Sequence, residues 1–459
     1  MGDTSQASLS TLDERRLGEA FMRRARQSLK IVDDPEMTDY IQSLGQRLAS
    51  RAEIQGQGGR FTFFVVQDPS INAFAAPGGF IGVHSGLILA TRSESELAAV
   101  LAHEIAHVTQ RHIARTVEAT QRMTIPAAAA MLAAIILGSQ AGELGQAAMA
   151  VTAAGQVQRQ INFTRANEQE ADRVGIQILA QTSFDPRSMP AFFERLQQAN
   201  RFAGQRLPEF LSTHPVTESR IAESRARAEQ QPPQAPASSL QYDLMGAKLR
   251  VLSADSPAQA ADYFRPALRR EAPEQEPAQE VAQYGYALAL LERDDYAAAR
   301  TAVRNLLSKD RTRIPYLILG ARVELESGNV QDALKAFENA LAIHPGNDAL
   351  IRYYAQALLQ AGQAHKARRL LQEHIRERDF PVPELYKWLA QAQGDEGLQV
   401  EGHESMAEYY FLMGQGHLAM EQLKLALRLS GGDFYRTSRI EARLKELENE
   451  ALLEKKGSK

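Results

Sequence analysis

His103-Glu104-Ile105-Ala106-His107 is the run that can do chemistry. Residues four apart on a helix project from the same face. Two imidazoles placed this way can hold one Zn²⁺ through ring nitrogens at ~2.0–2.1 Å. Glu104 stands one residue round, beside the open position of such an ion, where it can take a proton from an activated water and pass it to a leaving amine. With ten histidines in 459 residues, His-Glu-x-x-His arises by chance in roughly one chain in a hundred. A catalytic zinc needs a third protein ligand. The chain has no cysteine, so that ligand is Glu, Asp or His. Glu168-Gln169-Glu170-Ala171-Asp172 supplies candidates. Glu168 and Asp172 are four apart and share a face. Glu168 can ligate, and Asp172 can accept a hydrogen bond from a ligand imidazole and fix its tautomer. Glu170 points elsewhere on this reading. Alone, the same run would be a solvated acidic helix start suited to the helix dipole.

Several elements must position these groups. Residues 10–54 read as two amphipathic helices broken near Val32-Asp33-Asp34-Pro35, and Phe61–Gln67 is rich in strand formers. Asn72-Ala73-Phe74-Ala75-Ala76-Pro77-Gly78-Gly79 and Phe80–His84 read as two short strands around a Pro-Gly-Gly turn. Ser93, with Glu96 three residues on, is a capping box. It predicts a helix from Leu97 to about Gln121, burying the face of Leu97, Val100, Leu101, Ile105 and Val108. A second helix is expected from about Asn162 to Gln181, and a third from Ser188. The longest uncharged apolar run, Ile125–Gly138, is shorter than the ~20 residues that span a bilayer, so peripheral membrane contact is the most it predicts.

Residues 230–239 are a linker by composition, dividing the chain into 1–229 and 240–459. The second part is alanine-rich, helical and repetitive. Asp294, Gly328 and Gly362 open turns 34 residues apart, each followed by small and apolar residues at matching offsets: Ala299, Val303 and Leu306; Ala333, Phe337 and Ala340; Ala367, Leu371 and His374. This is the tetratricopeptide period. Gly414, with Ala419, Leu423 and Ala426, begins a fourth such unit, and an extra helix is expected around 381–398.

Net charge is -4, with 44% apolar and 24% charged residues. That composition suits a globular protein and gives no basic footprint for nucleic acid. The opening MGDTSQASLSTLDERR lacks the basic-then-apolar pattern of a signal peptide. His84 reads as structural, and His112 as too far along the helix to reach the same ion. His344, His365, His374, His403 and His417 read as solvated or packing residues, and Trp388 as packing on the inserted helix.

The two-histidine motif followed by Glu168 and Asp172 resembles the M48 family of zinc peptidases. So do the 72–79 segment and Ser212-Thr213-His214-Pro215 with Arg220 beyond it. The likeness covers nearly the whole chain. It implies a mainly α protein, with a gluzincin-like α+β metallopeptidase domain carrying a small sheet, then an α-solenoid of tetratricopeptide repeats. It implies one Zn²⁺ on His103, His107 and Glu168, with Glu104 as base, Asp172 behind a ligand, and His214 and Arg220 near the oxyanion and the ligand carboxylate. His214 then has two opposed roles: an oxyanion donor, or a resting fourth ligand that blocks the metal. The resemblance also implies a periplasmic endopeptidase of misfolded or stalled proteins, with unfolded β-barrel outer-membrane proteins as substrates and the outer-membrane assembly machinery bound by the repeats. The segment Phe80–Val83 is expected to pair with extended substrate as an added strand. The competing function is a scaffold or chaperone working through the repeats. A purely structural zinc is disfavoured, because such sites are closed by four ligands that usually include Cys.

Overall fold

The computed structural model describes residues 10–52, 60–114, 125–136, 165–202 and 209–457, apart from 233, 236, 237, 270–275 and 379. The chain forms two compact units. The first comprises 1–32, 41–239 and 450–459; the second comprises 33–40 and 240–449.

In the first unit, helix Thr11–Ser28 and the part of helix Pro35–Ala49 from Ile41 onward precede a three-stranded sheet. Its strands are β1 (Thr62–Val66), β2 (Ala73–Ala76) and β3 (Phe80–His84), in the order β1-β3-β2. β1 runs parallel to β3, with Val66 opposite His84, and β2 runs antiparallel to it, with Ala76 opposite Phe80. The Pro-Gly-Gly link is a tight turn in which Gly78 and Gly79 take φ of 75° and 84°, where a side chain would be strained. The central position of β3 corrects the expectation that Phe80–Val83 receives substrate: both its ladders are already filled. β2 is the edge strand beside the motif helix.

That helix runs Glu94–Thr109. Ser93 caps it, its hydroxyl accepting from the Glu96 N–H at 3.3 Å, while the Glu96 carboxylate accepts from the Arg92 N–H at 2.7 Å. Every residue from Glu94 to His107 is buried, not one face alone, so the helix is a central element packed all round. It also ends twelve residues before the expected Gln121. Arg111 adopts φ 55°, which breaks the helix before a new helical turn begins at His112.

The acidic helix, described as Arg165–Ala180, packs along the motif helix. Gly175 permits the approach: a Cβ there would lie 3.3 Å from the His103 backbone nitrogen and 2.8 Å from Met189 Cε. Helices Ser188–Phe202, Glu209–Thr213 and Glu218–Glu229 complete the site. Part of the apolar run forms helix Ile125–Ile136, and the rest lies outside the described residues. Among the described residues no helix is long and apolar enough to cross a membrane.

The second unit is a succession of helix pairs from Leu240 onward. Turns with positive φ fall within pairs at Asp294, Gly328, Gly362 and Gly397, and again after helix Gln399–Leu412 at Gly414, and at each turn the last carbonyls are capped by the following two N–H groups. Ala299, Ala333, Ala367 and Ala419 are fully buried where helices cross. The helix expected as an insertion is Pro383–Asp395, but it continues the repeat, pairing with Gln399–Leu412 across Gly397, which follows Gly362 at the same spacing to within one residue; Trp388 packs partly buried against the core. His374 is a packing residue, bonded through Nε2 to Asp348 at 2.6 Å.

Candidate metal centre

The motif helix and the acidic helix bring His103, His107 and Glu168 together, and the segment after Glu209–Thr213 adds His214. One ligand atom from each of the four lies within 4.8 Å of all the others, and all four residues are buried. His103 Nε2 is 3.0 Å from His107 Nε2 and 3.3 Å from His214 Nδ1. Glu168 Oε1 is 3.0 Å from His214 Nδ1 and 3.4 Å from His107 Nε2. Lone pairs crowded this closely repel unless a cation or protons sit among them. The donor set, two to three imidazoles and a carboxylate without thiolate, suits a divalent ion such as Zn²⁺.

Glu104 carries an independent sign of fit. It is completely buried, yet neither of its oxygens makes a well-formed hydrogen bond among the described residues. His214 Nε2 lies 3.6 Å from it. Burial raises its carboxyl above the usual range, against the pull of His214, His103 and the Ala75 main chain on β2. A buried acceptor left open in this way fits a water held beside a metal.

Around the donors lies a layer of fixed charge. Asp172 Oδ1 is 3.0 Å from His103 Nδ1, the ring nitrogen facing away from the cluster. Arg220 grips Asp172 with two bonds of 2.9 Å from Nε and Nη2. Its Nη1 donates to the Pro215 carbonyl at 2.8 Å and lies 2.7 Å from Glu168 Oε2. The guanidinium is buried and stands over the Phe193 ring, 5.2 Å from its centroid. Phe210 stacks on His214 at 4.8 Å between ring centroids.

These neighbours set the proton affinities of the donors. Burial alone would raise Glu168, but His214, His103 and His107 hold it well below the usual carboxylate range. Asp172 is likewise lowered against its burial, by His103 and Arg220. Burial pulls His103 down, but Asp172 and Glu168 outweigh it and lift the imidazole to about 10. His107 goes the other way: burial, with His103 and His214 adding to it, holds it well below its usual value despite Glu168.

Two residues outside the expected set join the site. His112 is buried, with Nδ1 2.9 Å from His107 Nδ1 and Nε2 3.1 Å from Glu170. Nothing in the sequence flags them, because Gln110-Arg111 carries no turn signal. His84 is buried at the end of β3, 2.8 Å from the Ser70 hydroxyl and away from the cluster.

A mainly helical fold with a small sheet, four converging buried donors and a flanking glutamate defines a metallopeptidase site joined to a tetratricopeptide unit. The model of peptidase family M48 matches residues 35–228, and a tetratricopeptide-repeat model matches 324–392. The beta-barrel assembly-enhancing protease of Escherichia coli (strain K12) is 36% identical over 451 residues, covering 97% of this chain and 90% of that protein. The Yersinia pestis protein of that name is 36% identical over 419 residues, covering 90% of this chain and 84% of its own length. The mitochondrial metalloendopeptidase OMA1 of Schizosaccharomyces pombe is 35% identical over 163 residues, covering 35% of this chain and 45% of that protein. The chain belongs to the M48 peptidase family, as a metalloendopeptidase with tetratricopeptide repeats.

Proposed function

We propose that this chain is a zinc endopeptidase of the periplasm that cleaves misfolded or stalled outer-membrane β-barrel proteins, with residues 1–229 as its peptidase domain, 230–239 as linker and 240–459 as its repeat domain. The observation that carries the activity is the convergence of His103, His107, Glu168 and His214 beside the buried carboxylate of Glu104. The names of the relatives support the substrate class, and the repeats supply a partner-binding surface of the kind solenoids present.

His103, His107 and Glu168 would hold the ion, which when bound polarises the scissile carbonyl and makes water more acidic. Glu104 orients that water, takes its proton and delivers it to the leaving nitrogen. Its raised affinity for protons suits both halves of that shuttle. An extended substrate adds to the edge of β2, beside Ala75 and Glu104. Asp172, held by Arg220, keeps the hydrogen of His103 on Nδ1 and so leaves Nε2 for the metal. His214 closes the donor set at rest and must swing away for substrate, after which it or Arg220 can face the oxyanion.

The test is Glu104→Gln in the full chain, with unfolded casein as substrate. Cleavage should fall by at least a thousandfold while bound zinc stays at one per chain, and His103→Ala should lose the zinc. Full activity in the Gln variant would end the assignment. The closed donor set also favours a second contribution, assembly assistance through the repeats with the site shut, which would survive in Glu104→Gln.

A further inference from the structure

The two imidazoles of the motif are supported differently. His103 meets a carboxylate directly: its Nδ1 is 3.0 Å from Asp172. At the corresponding nitrogen of His107 stands an imidazole, that of His112. The His107 Nε2 faces His103, 3.0 Å away, and Glu168, so its Nδ1 points out of the cluster toward His112. The positive φ of Arg111 makes this meeting possible. It turns the chain back, so that the His112 ring stands edge-on to His107 with centroids 4.9 Å apart. The far nitrogen of His112 is 3.1 Å from Glu170, which leaves the acidic helix two residues after Glu168.

Only one arrangement of hydrogens satisfies this chain with a metal on His107 Nε2. His107 then carries its hydrogen on Nδ1 and donates it across the 2.9 Å gap to the Nδ1 lone pair of His112. His112 must carry its own hydrogen on Nε2, where the Glu170 carboxylate accepts it. Both ends are fixed: the metal sets one tautomer, and the carboxylate sets the other.

We propose that His112 and Glu170 are positioning residues for the metal site, forming a two-link brace that locks the tautomer and ring orientation of His107 as Asp172 does for His103. The inference rests on the metal-site reading above. Two different helical segments thereby lock the two ligand rings, and the acidic helix serves three roles within five residues: a ligand at Glu168, a brace for one imidazole at Glu170 and a brace for the other at Asp172.

The test is zinc affinity of the full-length protein, measured by competition with a chromophoric chelator. His112→Phe keeps a ring in the space and removes both bonds. It should weaken zinc by about tenfold to a hundredfold, the usual cost of losing an outer partner of a ligand histidine. His112→Gln can accept from His107 and donate to Glu170, so it should recover most of that loss. Glu170→Gln should cost severalfold. The visible absorption of the cobalt-substituted protein should change in His112→Phe and return toward wild type in His112→Gln, which lost packing alone would not produce. Wild-type zinc affinity in both His112→Phe and Glu170→Gln overturns the brace. Should His112→Phe not fold, Glu170→Gln and His112→Gln decide the question, because Glu170 is partly exposed and Gln keeps the bonds. His103→Ala separates the two levels: if it still binds zinc the site reading fails, and if it loses zinc while His112→Phe binds normally only the brace fails.

Discussion

Arg220→Leu is the most informative single change, because the guanidinium touches two of the site's carboxylates, Asp172 and Glu168, and carries its charge at every working pH. Arg220 donates twice to Asp172 at 2.9 Å, lies 2.7 Å from Glu168 and donates to the Pro215 carbonyl at 2.8 Å. At ~1.5–3 kcal/mol per charge-assisted bond, four contacts would sum to about 6–12 kcal/mol, comparable with the whole stability of a domain. That sum overstates the cost, since orphaned carboxylates relieve themselves by taking up a proton or water. Measured losses from breaking buried ion pairs are ~3–5 kcal/mol, and that is the expected loss in metal-free protein, followed by calorimetric unfolding in chelator. The loaded protein should lose less stability, because the ion itself neutralises Glu168. It should also bind zinc about ten to a hundred times more weakly, since Asp172 no longer has its anchor. Arg220→Lys should recover less than half of either loss, since an ammonium cannot reproduce the paired bonds to Asp172. A metal-free Arg220→Leu protein within ~1 kcal/mol of wild type, with zinc affinity changed less than twofold, would refute the reasoning that this cation holds the site together.

His214→Ala should raise cleavage of unfolded casein, because it vacates the atom that closes the donor set; a fall of tenfold or more would instead identify His214 as an oxyanion donor. The metal-free first unit should be most stable near pH 6.5. His103, raised to about 10, keeps a proton that the unfolded chain releases, so its contribution is full below pH 6.5 and is lost as pH climbs toward 10. His107 is depressed, so its contribution is present above 6.5 and declines as pH falls below it. Zinc replaces the His103 proton and should flatten the alkaline limb, and melting curves with and without chelator across pH 5 to 10 test both limbs. In the second unit Lys248 is fully buried between Glu36 and Asp34, the latter at 2.7 Å, with the Tyr353 hydroxyl at 3.3 Å. Lys248→Met should cost ~3–5 kcal/mol by stranding two buried carboxylates, and Lys248→Met with Glu36→Gln and Asp34→Asn should recover much of it; equal melting temperatures for wild type and the single variant would contradict this.

The sequence by itself determined the groups that meet through local geometry. His103, Glu104 and His107 lie on one helix, and Glu168 and Asp172 on another, so helical spacing alone gives each set a common face. The repeat turns were equally legible, since a positive φ every 34 residues selects Asp or Gly in the sequence itself. Tertiary structure decided the rest. That β3 is the centre strand, leaving β2 as an edge strand beside the motif helix, follows from pairing between segments, which alternation within one strand does not encode. The burial of the whole motif helix depends on how many neighbours surround it. The turn at Arg111 needs no Gly or Asn, so no local signal marks it, and it brings His112 onto His107 and across to Glu170. Which nitrogen of each imidazole faces the metal depends on partners carried by the acidic helix, Asp172 for His103 and, through His112, Glu170 for His107, and only the folded chain brings those partners within 3 Å or so of one another.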